Sequence, residues 1–332
     1  MNYSDWNAEK LTALSGSYWQ VCTIHASVKL GIFTSISDSS ESASDIAAKI
    51  NSEPRATSML LDACTSLGLL TKIDERYMNT EFSRNFLCSD KPSYMGYIIM
   101  HHHYIMDSWV RLDEAVKSGN PVRDRLGHKE DEKLESFLMG MFNMASRLGP
   151  VIAPLIDLSK CRRLLDLGGG PGTYAIHFCL KNSNLAATVF DMPTTRPFAE
   201  KTITKFEMDE RIDFEAGNFL SDPLPEGFDA VWMSHILHGE SPSACSELVK
   251  KASKSLNEGG LLIIHEFILE NDRTAPVFPA LFSLNMLLGT EGGQSYSVAE
   301  LQDMLRNAGI SEIRHIRLPE PNPSGIVIGI KQ

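Results

Sequence analysis

Arg163-Leu164-Leu165-Asp166-Leu167-Gly168-Gly169-Gly170-Pro171-Gly172-Thr173 begins as an apolar strand and runs through a cluster of glycines into a helix. Glycine suits such a turn because the backbone must reverse sharply and approach a ligand with no Cβ in the way. A dinucleotide loop has the form G-x-G-x-x-G, so that a pyrophosphate rests on the helix N-terminus. Counted from Gly168, the sixth position here is Thr173. The pattern is instead Asp-x-Gly-x-Gly-x-Gly, and a carboxylate at Asp166 repels a pyrophosphate while welcoming a cationic amino-acid end. Asp191, at the end of the next apolar strand, is placed to hold ribose hydroxyls.

Downstream of the loop, short apolar strands alternate with helical stretches: Thr188–Asp191, Ile212–Ala216, Ala230–Ser234 and Gly260–Glu266. That alternation predicts βαβ units and a doubly wound, Rossmann-like parallel sheet. Ile313–Arg317 and Gly325–Ile330 are separated only by a turn containing Pro319, Pro321 and Pro323, too short for a parallel crossover, so the sheet is expected to finish in an antiparallel hairpin.

Upstream, the apolar positions between Leu11 and Phe33 recur at helical spacing. Ser42–Ile50, Pro54–Leu70 and Thr71–Asn79 then read as helix, helix and short hairpin, the order of a winged helix. Helices are expected over Ser93–Ser118, closed by Gly119-Asn120-Pro121, and from Glu132 to Leu148 ahead of Gly149-Pro150. Residues 36–90 carry nine acidic against five basic residues, and Arg55 is the one basic residue in the presumptive recognition helix. A DNA reader should be basic there, so the winged helix is taken as a packing module. The division expected is 1–95 for that module, 96–150 for a helical connector forming part of a pocket, and 151–332 for the α/β domain.

The net charge of -11 over 332 residues opposes attraction to nucleic acid or an anionic bilayer. No apolar stretch has the length of a membrane span, and no signal peptide is evident. The six scattered cysteines form no metal or redox spacing, so a reducing, cytoplasmic location is expected.

At this level of detail the chain resembles the class I S-adenosylmethionine-dependent methyltransferases, and within them the O-methyltransferases of the plant caffeate and hydroxyindole type with their bacterial small-molecule branch. The resemblance rests on Trp109–Pro121, Phe190-Asp191-Met192-Pro193, Glu215-Ala216-Gly217-Asn218-Phe219, His235-Ile236-Leu237-His238 and Gly259–Glu266, all in the family's order. It implies a seven-stranded sheet, S-adenosyl-L-methionine as cofactor, a small-molecule acceptor, and a homodimer formed through the winged-helix module. It further implies that Asp166, Gly168, Gly169, Gly170 and Gly172 cradle the methionyl part. Asp191 and Met192 would then lie at the ribose, and Asn218, Phe219 and Ser234 around the adenine.

Methyl transfer is a displacement at carbon that requires alignment and a deprotonated nucleophile. A phenol ionises near pH ~10, so a histidine in hydrogen-bond reach is useful at neutral pH. The resemblance places His238 as that base and Glu266 as the carboxylate that orients it. Gly239-Glu240 follow His238 where relatives carry Asp-Trp, Ser295 stands where a second acid is expected, and Asn218 and Ser234 replace the usual aspartate and lysine. O-methylation of a small aromatic hydroxyl compound is the expected reaction; a C-methyltransferase, metal-assisted or not, an N-methyltransferase, a repurposed cofactor-binding enzyme and a DNA-binding regulator stay open. Consecutive His101-His102-His103 point about 100° apart on a helix and cannot ligate one ion from one face; one of them could join His238 or His265, but a pocket or core histidine is expected and no metal is assigned. His102, Met106, Met141 and Met286 are assigned to an apolar substrate pocket.

Overall fold

The computed structural model describes residues 5–124, 131–319 and 322–332. They form two compact units, 1–105 and 106–332.

In the first unit, α1 (Ala8–Gly16), α2 (Tyr18–Lys29) and α3 (Ile32–Ile36) replace the single helix expected over Leu11–Phe33. The breaks fall at Ser17, whose hydroxyl bonds back to the Leu14 carbonyl, and at Gly31, which takes a left-handed conformation at φ 69. Strand β1 (Glu41–Ser42) leads into α4 (Ala43–Lys49), started by a reciprocal capping box between Ser42 and Asp45. Then come α5 (Pro54–Ser66), the hairpin β2 (Leu70–Ile73) and β3 (Arg76–Asn79), α6 (Glu81–Phe86) and α7 (Gly96–Trp109), whose last turn passes into the second unit. Strand β1 pairs with β3, completing the wing. The core of this unit is apolar and dry, with Ile32, Phe33, Ile36, Ile46, Leu61 and Tyr77 essentially inaccessible.

The expected Ser93–Ser118 helix is interrupted at Val110-Arg111, so that α8 (Leu112–Ser118) is separate from α7. Helix α9 (Asp131–Ile152) runs through Gly149-Pro150 instead of stopping before it. A proline this near a helix end forfeits one backbone hydrogen bond, which the packing of Ile152 and Leu148 against the sheet core outweighs.

The second unit's sheet starts in its middle. Strand β4 (Arg163–Leu167) is followed by α10 (Thr173–Lys181), β5 (Ala186–Asp191), α11 (Arg196–Lys205), β6 (Ile212–Ala216), β7 (Phe228–Ser234), α12 (Pro242–Ser255) and β8 (Leu256–Leu269). After α13 (Val277–Gly289), the short β9 (Tyr296–Ser297) and α14 (Val298–Asn307) come β10 (Ile310–Arg317) and β11 (Ser324–Lys331). The order is β10-β11-β8-β7-β4-β5-β6, with β9 beside the end of β8. Strand β11 runs antiparallel to both its neighbours, so the expected closing hairpin is present and only β11 is reversed.

Period-two alternation sends Leu164, Ala230, Trp232 and Ile263 into one core layer and Leu165, Leu167, Val231, Met233 and Ile264 into the other. The chain leaves β4 in one direction toward β5 and β6, then returns to add β7 on the other side. At that reversal the carboxyl ends of β4, β5, β7 and β8 border a crevice, the usual ligand position in an open α/β sheet. Among the described residues no helix is long and apolar enough to cross a membrane.

Candidate active site

The glycine loop is shaped by close contacts. Gly168 has φ 68, and a Cβ there would lie 2.6 Å from Ile236 Cγ2, so any side chain collides with the turn after β7. A Cβ on Gly169 would come 2.6 Å from the Asp166 carboxyl carbon. The loop thus closes over Asp166, which is 1% exposed. Asp166 Oδ2 accepts from the Ala175 amide at 3.2 Å, whereas buried Oδ1 has no partner.

Burial, with a smaller contribution from the Asp191 charge, pushes the Asp166 carboxyl up to about 7. A buried acid with one vacant oxygen fits a cationic ligand group better than an anionic one. The acid form is favoured by folding, so this contribution to stability is present below the ordinary value near 4 and is lost as pH rises through about 7. Asp166→Asn is accordingly expected to stabilise the ligand-free protein at pH 8, by up to ~4 kcal/mol, and to leave it unchanged at pH 4. Thermal melts at the two pH values check this, and an equal shift at both would contradict it.

Asp191 is organised by the same loop. Its Oδ2 accepts from the Gly170 amide at 2.8 Å, and Oδ1 accepts from the Met192 amide at 2.6 Å and from Thr195 Oγ1 at 3.2 Å. Each oxygen of a carboxylate takes two donors, so Oδ2 keeps one acceptor direction for a hydroxyl. Gly168 N donates to the Phe190 carbonyl at 2.8 Å, locking the ends of β4 and β5 together. Asn218 turns its side chain inward to cap its own bend, accepting from Leu220 N at 2.9 Å. Phe219 stands with Ile236 over Gly168. Ser234 bonds His265 Nδ1 at 2.9 Å, and His265 Nε2 in turn bonds Ser324 Oγ at 2.8 Å, a relay across β7, β8 and β11 with a half-buried serine at one end.

His238 sits in a single turn after β7, and Glu266 near the end of β8, one residue past the pair Ser234–His265. Parallel pairing brings them together: His238 Nδ1 lies 2.8 Å from Glu266 Oε2, and His238 N donates to Oε1 at 3.2 Å. Glu266 also accepts from its neighbour Phe267 N at 3.2 Å. Burial would raise the Glu266 carboxyl, but the charge of His238 and hydrogen bonds from His235 and His238 outweigh it and hold it well below the carboxylate range.

His235 was not singled out from sequence. It has a left-handed backbone at φ 56, which turns its ring back so that Nδ1 lies 3.5 Å from Glu266 Oε2. Burial lowers its basicity against the pull of Glu266. His235, His238 and Glu266 bring donor atoms within 4.8 Å of one another, an arrangement able to take a divalent transition metal as well as a proton.

An aromatic wall borders His238. Phe282 of α13 meets the His238 ring edge-on at 4.8 Å, and Phe267 packs on both Phe278 and Phe282 at 4.8 and 4.7 Å. Ser295 pins α13 by donating to the Pro279 carbonyl at 2.9 Å. Among the residues assigned to the pocket, Met286 is buried on α13, Met141 is half-buried on α9, Met106 is half-buried in the last turn of α7, and His102 is exposed on α7 in the first unit. His103 lies 3.2 Å from Lys29 Nζ and packs on His25, within the first unit.

A crevice at the reversal of this sheet order, a glycine loop over a buried acid and a ribose-competent aspartate define a class I S-adenosylmethionine-dependent methyltransferase. Residues 118–311 match the O-methyltransferase domain family and residues 12–89 the O-methyltransferase dimerisation domain. The chain is 36% identical to 3-hydroxy-5-methyl-1-naphthoate 3-O-methyltransferase of Streptomyces sahachiroi, over 97% of this chain and 94% of that one. It is 30% identical to human acetylserotonin O-methyltransferase, over 88% and 89% of the two chains. The crystal structure of human N-acetylserotonin methyltransferase in complex with S-adenosylmethionine superposes with a TM-score of 0.88 at 26% identity, covering 100% of this chain and 99% of that one. The chain therefore belongs to the S-adenosylmethionine-dependent O-methyltransferase family that carries an N-terminal dimerisation domain.

Proposed function

We propose that the protein transfers a methyl group to the hydroxyl of a small aromatic compound, with His238 as general base and Glu266 as the group that orients it. The observation that carries this reading is the 2.8 Å contact between His238 Nδ1 and Glu266 Oε2. With Nδ1–H donated to an ionised carboxylate, the tautomer is fixed and Nε2 is the lone-pair nitrogen.

S-adenosylmethionine, when bound, supplies a methyl group on positively charged sulfur, a leaving group that needs no acid. Nε2 of His238 takes up the hydroxyl proton as the new carbon–oxygen bond forms, and Glu266 stabilises the imidazolium that results. Phe267, Phe278 and Phe282 hold a flat ring and exclude water from the base. Asp166 and Asp191 position the amino-acid and ribose ends. Met192, Asn218, Phe219 and Ser234 complete the cofactor surroundings, and Met106, Met141 and Met286 the acceptor's.

The named activity of the Streptomyces relative supports a fused aromatic acceptor. The test is incubation with methyl-labelled S-adenosylmethionine and 3-hydroxy-1-naphthoic acid, followed by mass spectrometry and NMR. A labelled methyl ether is expected; label on ring carbon would refute the hydroxyl assignment.

A metal-assisted reading is favoured by one observation, the convergence of His235, His238 and Glu266. Under the base reading, chelation with EDTA leaves the rate within about twofold, and micromolar Zn²⁺ inhibits by occupying His238. Loss of activity on chelation with recovery on adding a metal would overturn the base reading.

The match to a dimerisation domain supports a homodimer. So do the outward Leu11, Tyr18 and Trp19, each more than half exposed on α1 and α2. The divisions at residues 95 and 150 are offered as functional ones, beside a boundary between compact units at 105/106. Six free thiols suit a cytoplasmic setting, and Arg55 as the sole basic residue of α5 gives nucleic acid no purchase.

A further inference from the structure

Arg123 carries a half-buried positive charge that the reaction as described does not use. The backbone around it is fixed to the end of α13, since Val122 N and Arg123 N both donate to the Leu288 carbonyl at 3.0 and 3.1 Å. Arg111 Nη1 holds the Val122 carbonyl at 2.8 Å. The guanidinium lies against the bare backbone of Gly289, where a Cβ would come within 2.5 Å of Cζ. Its Nη2 donates to the carbonyl and to Oδ1 of Asn285, both at 3.2 Å, and both are neutral. Its Nε is buried with no acceptor. Among the described residues burial is the one influence on this cation, and no carboxylate there offsets it. An arginine stays protonated, so a sequestered guanidinium without a counter-charge is costly unless an anion arrives.

The position relates Arg123 to the base. Residues 278, 282, 285 and 289 of α13 follow the i, i+4, i+7, i+11 spacing of one helix face. At Phe282 this face meets His238, and at Asn285 and Gly289 it meets Arg123. The rise between those points is roughly 5 to 10 Å, the span of one or two fused aromatic rings. The helix therefore presents an aromatic ledge with a base at one end and a bidentate cation at the other.

We propose that Arg123 recognises a carboxylate on the acceptor, so that the substrates are hydroxyaryl carboxylic acids bound with the acid on Arg123 and the hydroxyl at His238. The proposal rests on the aryl hydroxyl reading above. A planar guanidinium takes a carboxylate through two parallel hydrogen bonds, and the vacant Nε supplies one of them. Gly289, with no Cβ, is the residue that lets the guanidinium lie against this face of α13.

The test compares 3-hydroxy-1-naphthoic acid with its methyl ester for kcat/KM, in the wild type, Arg123→Leu and Arg123→Lys. The acid is expected to be preferred at least tenfold by the wild type, through KM. Leucine should abolish that preference and lysine should restore part of it. Equal use of acid and ester by the wild type, or a preference that survives in Arg123→Leu, would overturn the proposal. In parallel, calorimetry on the wild type with S-adenosylhomocysteine bound compares 1-naphthoate with 1-naphthamide. Tighter binding of the naphthoate supports carboxylate recognition even if neither hydroxyl compound is methylated or a variant does not fold. Equal or weaker binding of the naphthoate refutes it. Failure of transfer to both compounds, by contrast, counts against the hydroxyl reading.

Discussion

His238→Ala is expected to lower kcat by ~10²- to 10⁴-fold at pH 7, the usual contribution of a positioned general base. S-adenosylmethionine binding, followed by calorimetry, should stay within about twofold, because the cofactor contacts assigned above come from the loop at 166–172 and from Asp191, Met192, Asn218, Phe219 and Ser234, with none from His238. The expected size of the kcat loss reflects how completely the environment prepares this ring. In the proposed roles Glu266, 2.8 Å away, fixes both its orientation and its tautomer, and Phe282 closes its flank at 4.8 Å. A variant that lost cofactor affinity in proportion to kcat would place His238 among the binding residues instead.

Glu266→Gln is expected to cost both activity and stability. The carboxylate is 1% exposed, receives the His238 amide, His238 Nδ1 and its own neighbour's amide, and lies 3.5 Å from His235 Nδ1. An amide cannot supply the charge that favours an imidazolium beside it, so kcat should fall by ~10- to 10³-fold. Glu266→Ala, which leaves those donors buried and unpaired, should cost ~3–5 kcal/mol of stability.

The pH dependence has a definite sign. The Glu266 carboxyl is depressed from its ordinary value of 4.5, so its stabilisation is fully present above that pH and is lost as pH falls below it. The gap in melting temperature between the wild type and Glu266→Gln should therefore be constant from pH 6 to 8 and narrow below about pH 4.5. A gap that does not change in acid would mean that the charge of Glu266 contributes nothing to the fold.

Features set by neighbouring residues were legible in the sequence. The glycine run from 168 to 172, the strand cores and the short connection between β10 and β11 announced a doubly wound sheet with a reversed last strand, and that is the sheet present. Element ends were less legible, because Ser17, Gly31 and Pro150 act according to the packing around them. A proline in the last turn of α9 was outweighed by a buried Ile152, and no local pattern carries that weight.

The site was legible in proportion to its locality. His238 and Glu266 were recognised through a family resemblance, not through spacing, since 28 residues separate them and only the β7–β8 pairing brings them together. His235 stood in the quoted motif, but its part depends on a left-handed backbone at the strand end. Arg123 was invisible because its burial comes from a helix some 160 residues away, and its significance from the lack of a carboxylate partner among the described residues.

The most direct test of the central claim, that His238 removes the hydroxyl proton, uses a series of phenols of increasing acidity. The ratio of kcat/KM between the wild type and His238→Ala is measured for each at constant pH. A general base matters less as the acceptor ionises by itself, so the ratio should fall from ~10³ for a phenol that ionises near pH 10 toward unity for one that ionises below pH 7. A ratio that stays constant across the series would contradict the account and leave His238 a positioning or packing residue.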